Sequence, residues 1–184
     1  MSQGLTQEDI LDEIQPDVYT QDYSKKPEID GVKIINLKNH TGEDGDFCEV
    51  FRIGTNGETQ EFPDFKIAQI NRSKLIAGAI KAWHLHFNQD EVWYVVPSTR
   101  LVVGLWDVRA DSKTKDTSMK IVLGGGVSKL LYIPRGVAHG CANFTKGPAE
   151  LFYFVSNKFD PSSPDEKRIK WDALGSDFWE QKRD

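Results

Sequence analysis

Three histidines and one glutamate stand in two short segments, and these residue types are suited to binding a metal. His84 and His86 are two positions apart in A-W-H-L-H-F, a segment typical of a strand, so both imidazoles are expected on one face. Glu91 opens E-V-W-Y-V-V, which indicates the returning strand, and His139 lies in the later segment P-R-G-V-A-H. Three imidazoles and a carboxylate form a suitable ligand set for one divalent transition metal, such as Zn, Fe, Mn or Ni.

Short β-type segments must position these side chains. From Phe65 onward they follow one another with Gly, Pro or Asn between them and almost no helical periodicity. This pattern predicts an all-β sandwich or closed barrel. The predicted strands are 32–37, 47–53, 65–71, 83–87, 91–96, 101–108, 119–123, 129–133 and 150–156.

The two ends of the chain predict short helical segments. Thr6 and Asp9 have the spacing of a capping box, and the helix that it would begin must end at Pro16. Near the other end, Trp171, Leu174, Phe178 and Trp179 have a spacing that favours helical turns packed on the barrel. We therefore predict a single domain over residues 1–184, with a helix and arm (1–28), a barrel (29–160) and a helical tail (161–184).

Composition excludes several classes of protein. With a net charge of −5 and no basic stripe, a general nucleic-acid binder is not expected. No apolar segment approaches the roughly 20 residues of a membrane span. The N-terminus lacks the features of a signal peptide, and Cys48 and Cys141 are too few for a disulfide framework. A cytoplasmic location with free thiols is expected.

Two motifs resemble those of the cupin superfamily. Gly78, His84-x-His86 and Glu91 are similar to its first motif, while Pro134-x-Gly136, His139 and Asn143 are similar to the second. The resemblance implies a cupin fold, which is a double-stranded β-helix or jelly-roll barrel.

A longer resemblance, over roughly residues 29–179, is to the dTDP-4-dehydrorhamnose 3,5-epimerases. It rests on segments in family order, which are I-D-G-V-K-I-I from Ile29, Q-I-N from Gln69 through to His84, W-D-V-R from Trp106, Y-I-P from Tyr132, Tyr153 and F-D-P from Phe159. The segments I-K-W-D from Ile169 and D-F-W from Asp177 complete the resemblance.

The resemblance implies an epimerase or isomerase that acts on a keto sugar, one that is expected to be nucleotide-linked. By position, His84 would be the base that removes a proton next to the ketone, and Tyr153 the acid. No cofactor is required in this interpretation, and a homodimer that exchanges its N-terminal arm is implied. The resemblance also implies that substrate is bound by Lys81, Asn71, Phe47, Glu49 and His139.

Four departures from the family pattern leave alternatives open. Asp44 stands where the family has an arginine for the diphosphate, and Lys81 replaces a second arginine. The segment 91–97 contains no lysine to stabilise an enolate, and the late aspartate that partners the family's base is absent. One alternative is a metal-dependent cupin isomerase, oxygenase or decarboxylase with His84, His86, Glu91 and His139 as ligands. Another is a sugar-binding module. The two enzyme hypotheses compete for His84, because a histidine that binds a metal through its cavity-facing nitrogen cannot also be the base.

Overall fold

A computed structural model describes residues 4–181 as an almost purely β-structure. Its described part contains twelve strands and three short 3₁₀ turns, and it has no longer helix. None of its helices is long and apolar enough to cross a membrane. The strands are β1 (Lys33–Asn36), β2 (His40–Gly42), β3 (Gly45–Phe47), β4 (Gln69–Leu75), β5 (Ile80–Leu85), β6 (Glu91–Val95), β7 (Arg100–Asp107), β8 (Ser118–Gly124), β9 (Lys129–Ile133), β10 (Val137–Ala142), β11 (Ala149–Val155) and β12 (Lys167–Arg168).

Ten of these strands form two five-stranded antiparallel sheets packed face to face. One sheet has the order β1-β9-β6-β11-β4, and the other has the order β12-β5-β10-β7-β8. The main core lies between them, with Trp93, Val95 and Leu131 from the first sheet against Val103 and Leu105 from the second. The fold is therefore the predicted all-β cupin-like jelly roll.

Each sheet also has an apolar outer face that another part of the chain covers. The loop between β3 and β4 lays Phe62 and Phe65 on the outside of the first sheet. The C-terminal segment covers the second sheet, where Trp179 packs on Trp83 with ring centroids 4.8 Å apart. This contact requires Gly104, since a Cβ on that residue would lie 2.6 Å from the Trp179 ring.

The strand predictions differ most from the structure at 47–53 and at β10. The predicted strand 47–53 ends at Phe47, because β2 and β3 form a separate exposed hairpin. Strand β10 was not predicted, although a turn marks its start. Val137 donates a backbone hydrogen bond to the Pro134 carbonyl (3.2 Å), and Gly136 between them has φ +79°. That turn needs a glycine at this position, and it starts the strand that carries His139.

The predicted helical segments are present only as single turns. Two 3₁₀ turns, Gln7–Asp9 and Gln15–Asp17, replace the predicted N-terminal helix, and the capping box of Thr6 and Asp9 is formed. No continuous helix forms here because the apolar face has nothing to pack on, and Leu11 is 67% exposed. At the other end, a 3₁₀ turn at Ser176–Trp179 packs on the barrel as predicted. Residues 1–3 and 182–184 of the predicted domain lie outside the described residues.

Candidate active site

Polar residues from β5, β6 and β10 point into the space between the two sheets, where they line one cavity. Alternation along β5 places Trp83 and Leu85 in the outer aromatic layer, so His84 points inward, and His86 directly after the strand does the same. Glu91 begins β6 on the face that carries Trp93, and His139 occupies an inward position of β10. The predicted common face of the histidines is confirmed.

These residues line a cavity of about 510 Å³. His84 and His139 are directly opposite each other in the pairing of β5 with β10, and their rings stack with centroids 5.9 Å apart. Tyr153 lies in β11 of the other sheet and lines the same cavity. His84 and Tyr153 therefore belong to opposing walls.

The two ring nitrogens of His84 both contact charged side chains. Nδ1 lies 2.6 Å from Glu166 Oε1, and Nε2 lies 2.7 Å from a guanidinium nitrogen of Arg168. Burial opposes ionisation of Glu166, but the hydrogen bond with His84 and the charges of the surrounding histidines and arginine outweigh it and lower its pKa. Glu166 is thus an ionised carboxylate that is hydrogen-bonded to the His84 imidazole.

Glu91 is the centre of a second, fully buried cluster. Its Oε1 lies 3.0 Å from His86 Nε2, and its Oε2 lies 3.5 Å from His139 Nε2. Gln89 and Trp93 also donate hydrogen bonds to the carboxylate, at 2.8 and 2.5 Å. Burial alone would raise the pKa of Glu91, but the hydrogen bonds of His86 and Trp93 and the charges of His86 and His139 lower it to about 2. The pKa of His139 is lowered by its burial, so this ring is neutral at pH 7.

Two further predicted residues lie at or near the cavity. Lys81 lines it, and its ammonium group donates a hydrogen bond to the Ser73 hydroxyl at 2.7 Å. Asn71 lies directly opposite Tyr153 in the pairing of β4 with β11, so its side chain is on the same inner face. The phenol of Tyr153 has a raised pKa because of burial and the nearby carboxylates, so it is protonated at neutral pH.

Two residues that were predicted to bind substrate do not line this cavity. Phe47 is 65% exposed at the end of the β2–β3 hairpin, and Glu49 forms an exposed ion pair with Arg52 (2.9 Å). Asp44, the departure at the expected diphosphate site, lies in the exposed turn of the same hairpin.

Sequence reasoning missed Glu166 and Arg168, which are the residues that hold His84. They belong to D-E-K-R, a charged run that resembles a solvated loop, and 82 residues separate Glu166 from its partner. In the structure, Lys167–Arg168 pairs with β5 as β12. The available signal was alternation, because positions 166 and 168 lie on one face if the run is extended.

The four metal ligands predicted from the sequence do not form one group in the structure. His86, Glu91 and His139 each offer a ligand atom within 4.8 Å of the others. His84 lies outside this group and contacts Glu166 and Arg168 instead. His84 and the three possible ligands are thus separate groups in one cavity.

Comparisons with known proteins agree on one family. A profile described as dTDP-4-dehydrorhamnose 3,5-epimerase matches residues 26–181. The chain is 40% identical to the spore coat polysaccharide biosynthesis protein SpsL of Bacillus subtilis, over 78% of this chain and 91% of SpsL. It is 30% identical to Agl13 of Haloferax volcanii, a probable low-salt glycan biosynthesis epimerase, over 79% of this chain and 90% of Agl13.

A solved structure supports the same fold. The dTDP-4-dehydrorhamnose 3,5-epimerase of Bacillus anthracis, crystallised with TDP and PPi, superposes with a TM-score of 0.68. It is 21% identical, and the match covers 82% of this chain and 86% of that one. Together the comparisons support the epimerase interpretation over a metal-dependent oxygenase or decarboxylase.

Proposed function

Because the chain belongs to the dTDP-4-dehydrorhamnose 3,5-epimerase family and is a sugar isomerase, we propose that its substrate is a nucleotide-linked 4-keto sugar. A ketone at C4 acidifies the protons on C3 and C5, so a base can remove one and form an enolate. The observation that carries the proposal is the position of His84, which is held by a carboxylate inside a cavity whose opposing wall carries Tyr153.

His84 is the base in this proposal, and its contacts define which nitrogen accepts the proton. Arg168 is always charged and can only donate, so the Nε2 atom that it contacts must carry a lone pair. The proton of the neutral ring is therefore on Nδ1, where it is donated to Glu166. After proton abstraction at Nε2, the ring is an imidazolium, and the carboxylate stabilises its charge. Arg168 is 57% exposed at its side chain, so it has room to release Nε2 to the substrate.

Tyr153 is the acid, and its place in the other sheet accounts for inversion. A sugar carbon is inverted when a proton leaves one face and another arrives at the opposite face. His84 and Tyr153 come from opposing walls of the cavity, which suits this requirement. The protonated phenol can donate to the enolate carbon, and burial disfavours its ionised form.

The relatives suggest what the product is used for. SpsL and Agl13 are named for polysaccharide and glycan biosynthesis, and the Bacillus anthracis structure holds TDP. We therefore propose a dTDP-linked substrate and a product destined for a surface glycan. Lys81 and Arg168 are the cations at the cavity that would meet the diphosphate.

Solvent deuterium exchange tests the reaction. A dTDP-linked 4-keto sugar incubated in D₂O with the enzyme should take up deuterium next to the ketone, observed by NMR. His84→Asn should abolish exchange and Tyr153→Phe should slow it strongly, whereas the exposed control His40→Asn should match the wild type. Exchange that survives His84→Asn would refute the assignment of the base.

We further propose that the protein is a homodimer located in the cytoplasm. The N-terminal arm exposes apolar side chains that have little to pack on within the chain, with Leu5 at 80%, Tyr19 at 71% and Tyr23 at 90% exposure. A second copy of the chain would bury them, and the free thiols of Cys48 and Cys141 suit a reducing compartment. Light scattering should give the mass of a dimer, and deletion of residues 1–24 should weaken it. A monomeric wild type at micromolar concentration would contradict the dimer.

A further inference from the structure

The lone pair of His84 that would accept the substrate's proton is occupied by another side chain of the same protein. A guanidinium nitrogen of Arg168 lies 2.7 Å from His84 Nε2. Arginine has no acceptor and cannot be deprotonated in proteins, so this contact is a hydrogen bond donated to the lone pair. While it persists, no carbon-bound proton can approach Nε2, and the base of the proposed reaction is blocked.

Arg168 also shares the carboxylate that should stabilise the imidazolium. Its Nε lies 3.1 Å from Glu166 Oε1, which is the same oxygen that lies 2.6 Å from His84 Nδ1. A guanidinium beside the ring opposes the second positive charge that proton abstraction would create, because like charges repel. Moving Arg168 away would therefore free the lone pair, and it would also leave Glu166 to the imidazolium alone.

The surroundings of Arg168 allow its side chain to move while the barrel stays folded. The side chain is 57% exposed, and its hydrogen bonds and ion pairs within the described part of the chain are those with His84 and Glu166. Its backbone lies in β12, directly opposite His84 in the pairing with β5. Rotation about the side-chain torsions is thus sufficient to withdraw the guanidinium from Nε2.

A diphosphate is the kind of group that would draw this guanidinium away. Arginine binds phosphate oxygens through paired, charge-assisted hydrogen bonds, which are stronger than one hydrogen bond to a neutral imidazole. In a nucleotide-linked sugar the diphosphate is attached to C1, and a single ring atom separates C1 from C3 and from C5. When the reacting carbon lies at Nε2, the diphosphate is therefore close to Arg168, which lines the same cavity.

We propose that Arg168 is a gate that makes His84 available as a base only to a sugar that carries a diphosphate. Without substrate, Arg168 occupies Nε2. With substrate, it pairs with the diphosphate and releases the lone pair to the sugar. The ligand shifts this equilibrium because it binds the open arrangement in preference to the closed one. Binding energy from a remote part of the substrate is thereby used at the reacting centre. The inference rests on the proposed function, and it explains how the site would discriminate against free keto sugars.

Chemical modification of His84 tests the gate without any sugar. Diethyl pyrocarbonate acylates an imidazole nitrogen that has a free lone pair, and peptide mass spectrometry locates the product. Arg168→Met keeps a side chain of similar length without a donor, and it should raise the rate at His84 at least about fivefold. Inorganic pyrophosphate at millimolar concentration should accelerate the reaction in the wild type and have no effect in Arg168→Met.

Two controls separate the gate from a general change of structure. Lys167→Gln alters the neighbouring exposed residue of β12 and should leave the rate at His84 as in the wild type. The exposed His40 should react equally in all forms. A bound ligand ordinarily protects the residues that it covers, so acceleration by pyrophosphate is not expected if Arg168 is merely structural. An unchanged rate in Arg168→Met would overturn the proposal. Pyrophosphate that fails to accelerate the wild type would also overturn it, and that result does not depend on any variant.

Two substrates test the consequence for catalysis. Deuterium exchange of a dTDP-linked 4-keto sugar is compared with exchange of the methyl glycoside of the same keto sugar, which has no phosphate. Arg168→Met should slow exchange of the linked sugar and accelerate exchange of the glycoside at least about threefold, because the gate is open but the diphosphate has lost a partner. Pyrophosphate added to the wild type should also accelerate exchange of the glycoside. Slower exchange of both sugars by Arg168→Met, or no change in either, would overturn the gate.

The failure of this inference differs from the failure of the proposed function. A wild type that exchanges the linked sugar, while His84 is modified at equal rates in wild type and Arg168→Met, would overturn the gate and leave the epimerase intact. If no form exchanges either sugar, the proposed reaction is wrong, and faster modification of His84 with pyrophosphate would still support its control by Arg168.

Discussion

Replacing Glu166 by glutamine tests whether this carboxylate activates His84, the proposed base. The carboxylate lies 2.6 Å from His84 Nδ1, and its charge favours the imidazolium that proton abstraction creates. A hydrogen bond to a charged group contributes about 1.5–3 kcal/mol, and the 36% exposure of the Glu166 side chain favours the lower part of that range. A loss of about 1.5–2.5 kcal/mol corresponds to roughly a 10- to 70-fold fall in kcat.

The assay is turnover of a dTDP-linked 4-keto sugar with deuterium uptake measured in parallel. Glu166→Gln should lower kcat with little change in KM, because the carboxylate acts on the base rather than on the substrate. Lys167→Gln is the matched control, since it removes a charge from the next residue along the chain, the first residue of β12. A kcat within twofold of the wild type for Glu166→Gln, or a change confined to KM, would refute the reasoning.

Three further predictions concern other parts of the molecule. Asp44→Arg should tighten dTDP binding roughly tenfold by calorimetry if the β2–β3 hairpin meets the diphosphate, and unchanged affinity would exclude that contact. Gly104→Ala should cost about 1–3 kcal/mol in urea unfolding, because its Cβ meets the Trp179 ring, and a neutral result would show that the tail docks loosely. Asp107 is fully buried and its pKa is lowered, since hydrogen bonds from Arg109 and two hydroxyls outweigh burial. It therefore stabilises the fold above the unfolded pKa of about 4, and this contribution is lost as pH falls further. Asp107→Asn should cost about 2–4 kcal/mol at pH 7 and progressively less below pH 4, and a pH-independent difference would contradict the linkage.

Local pattern was enough to predict β5, β6 and β11, which carry His84, Glu91 and Tyr153. Alternation around His84 and His86 gave their common face, and the apolar run from Glu91 gave β6 to within one residue. His139 was recognised by its motif, but its strand was not, because V-A-H-G-C-A has little β-branched character and its burial comes from two neighbouring strands. Whether such a segment forms a strand depends on the strands that lie beside it in the fold.

The partners of His84 could not be predicted from local sequence pattern. Glu166 meets His84 only because a two-residue strand pairs with β5, and nothing in a charged run specifies that pairing. Local pattern also could not show that His84 lies apart from the other three predicted ligands. Four residues with suitable chemistry were visible in the sequence, but only their contacts show that three converge on one another while His84 turns to the tail.

The two-residue strand β12 has a consequence for how the enzyme loses activity. Among the described strands, β12 pairs with β5 alone, and both of its residues are exposed, so it can open without disturbing the barrel core. Such sub-global opening would separate Glu166 and Arg168 from His84 while the two sheets remain paired. The amides of β12 should therefore exchange hydrogen sooner than those of β6. Low concentrations of denaturant should abolish activity before the fluorescence of the buried tryptophans changes.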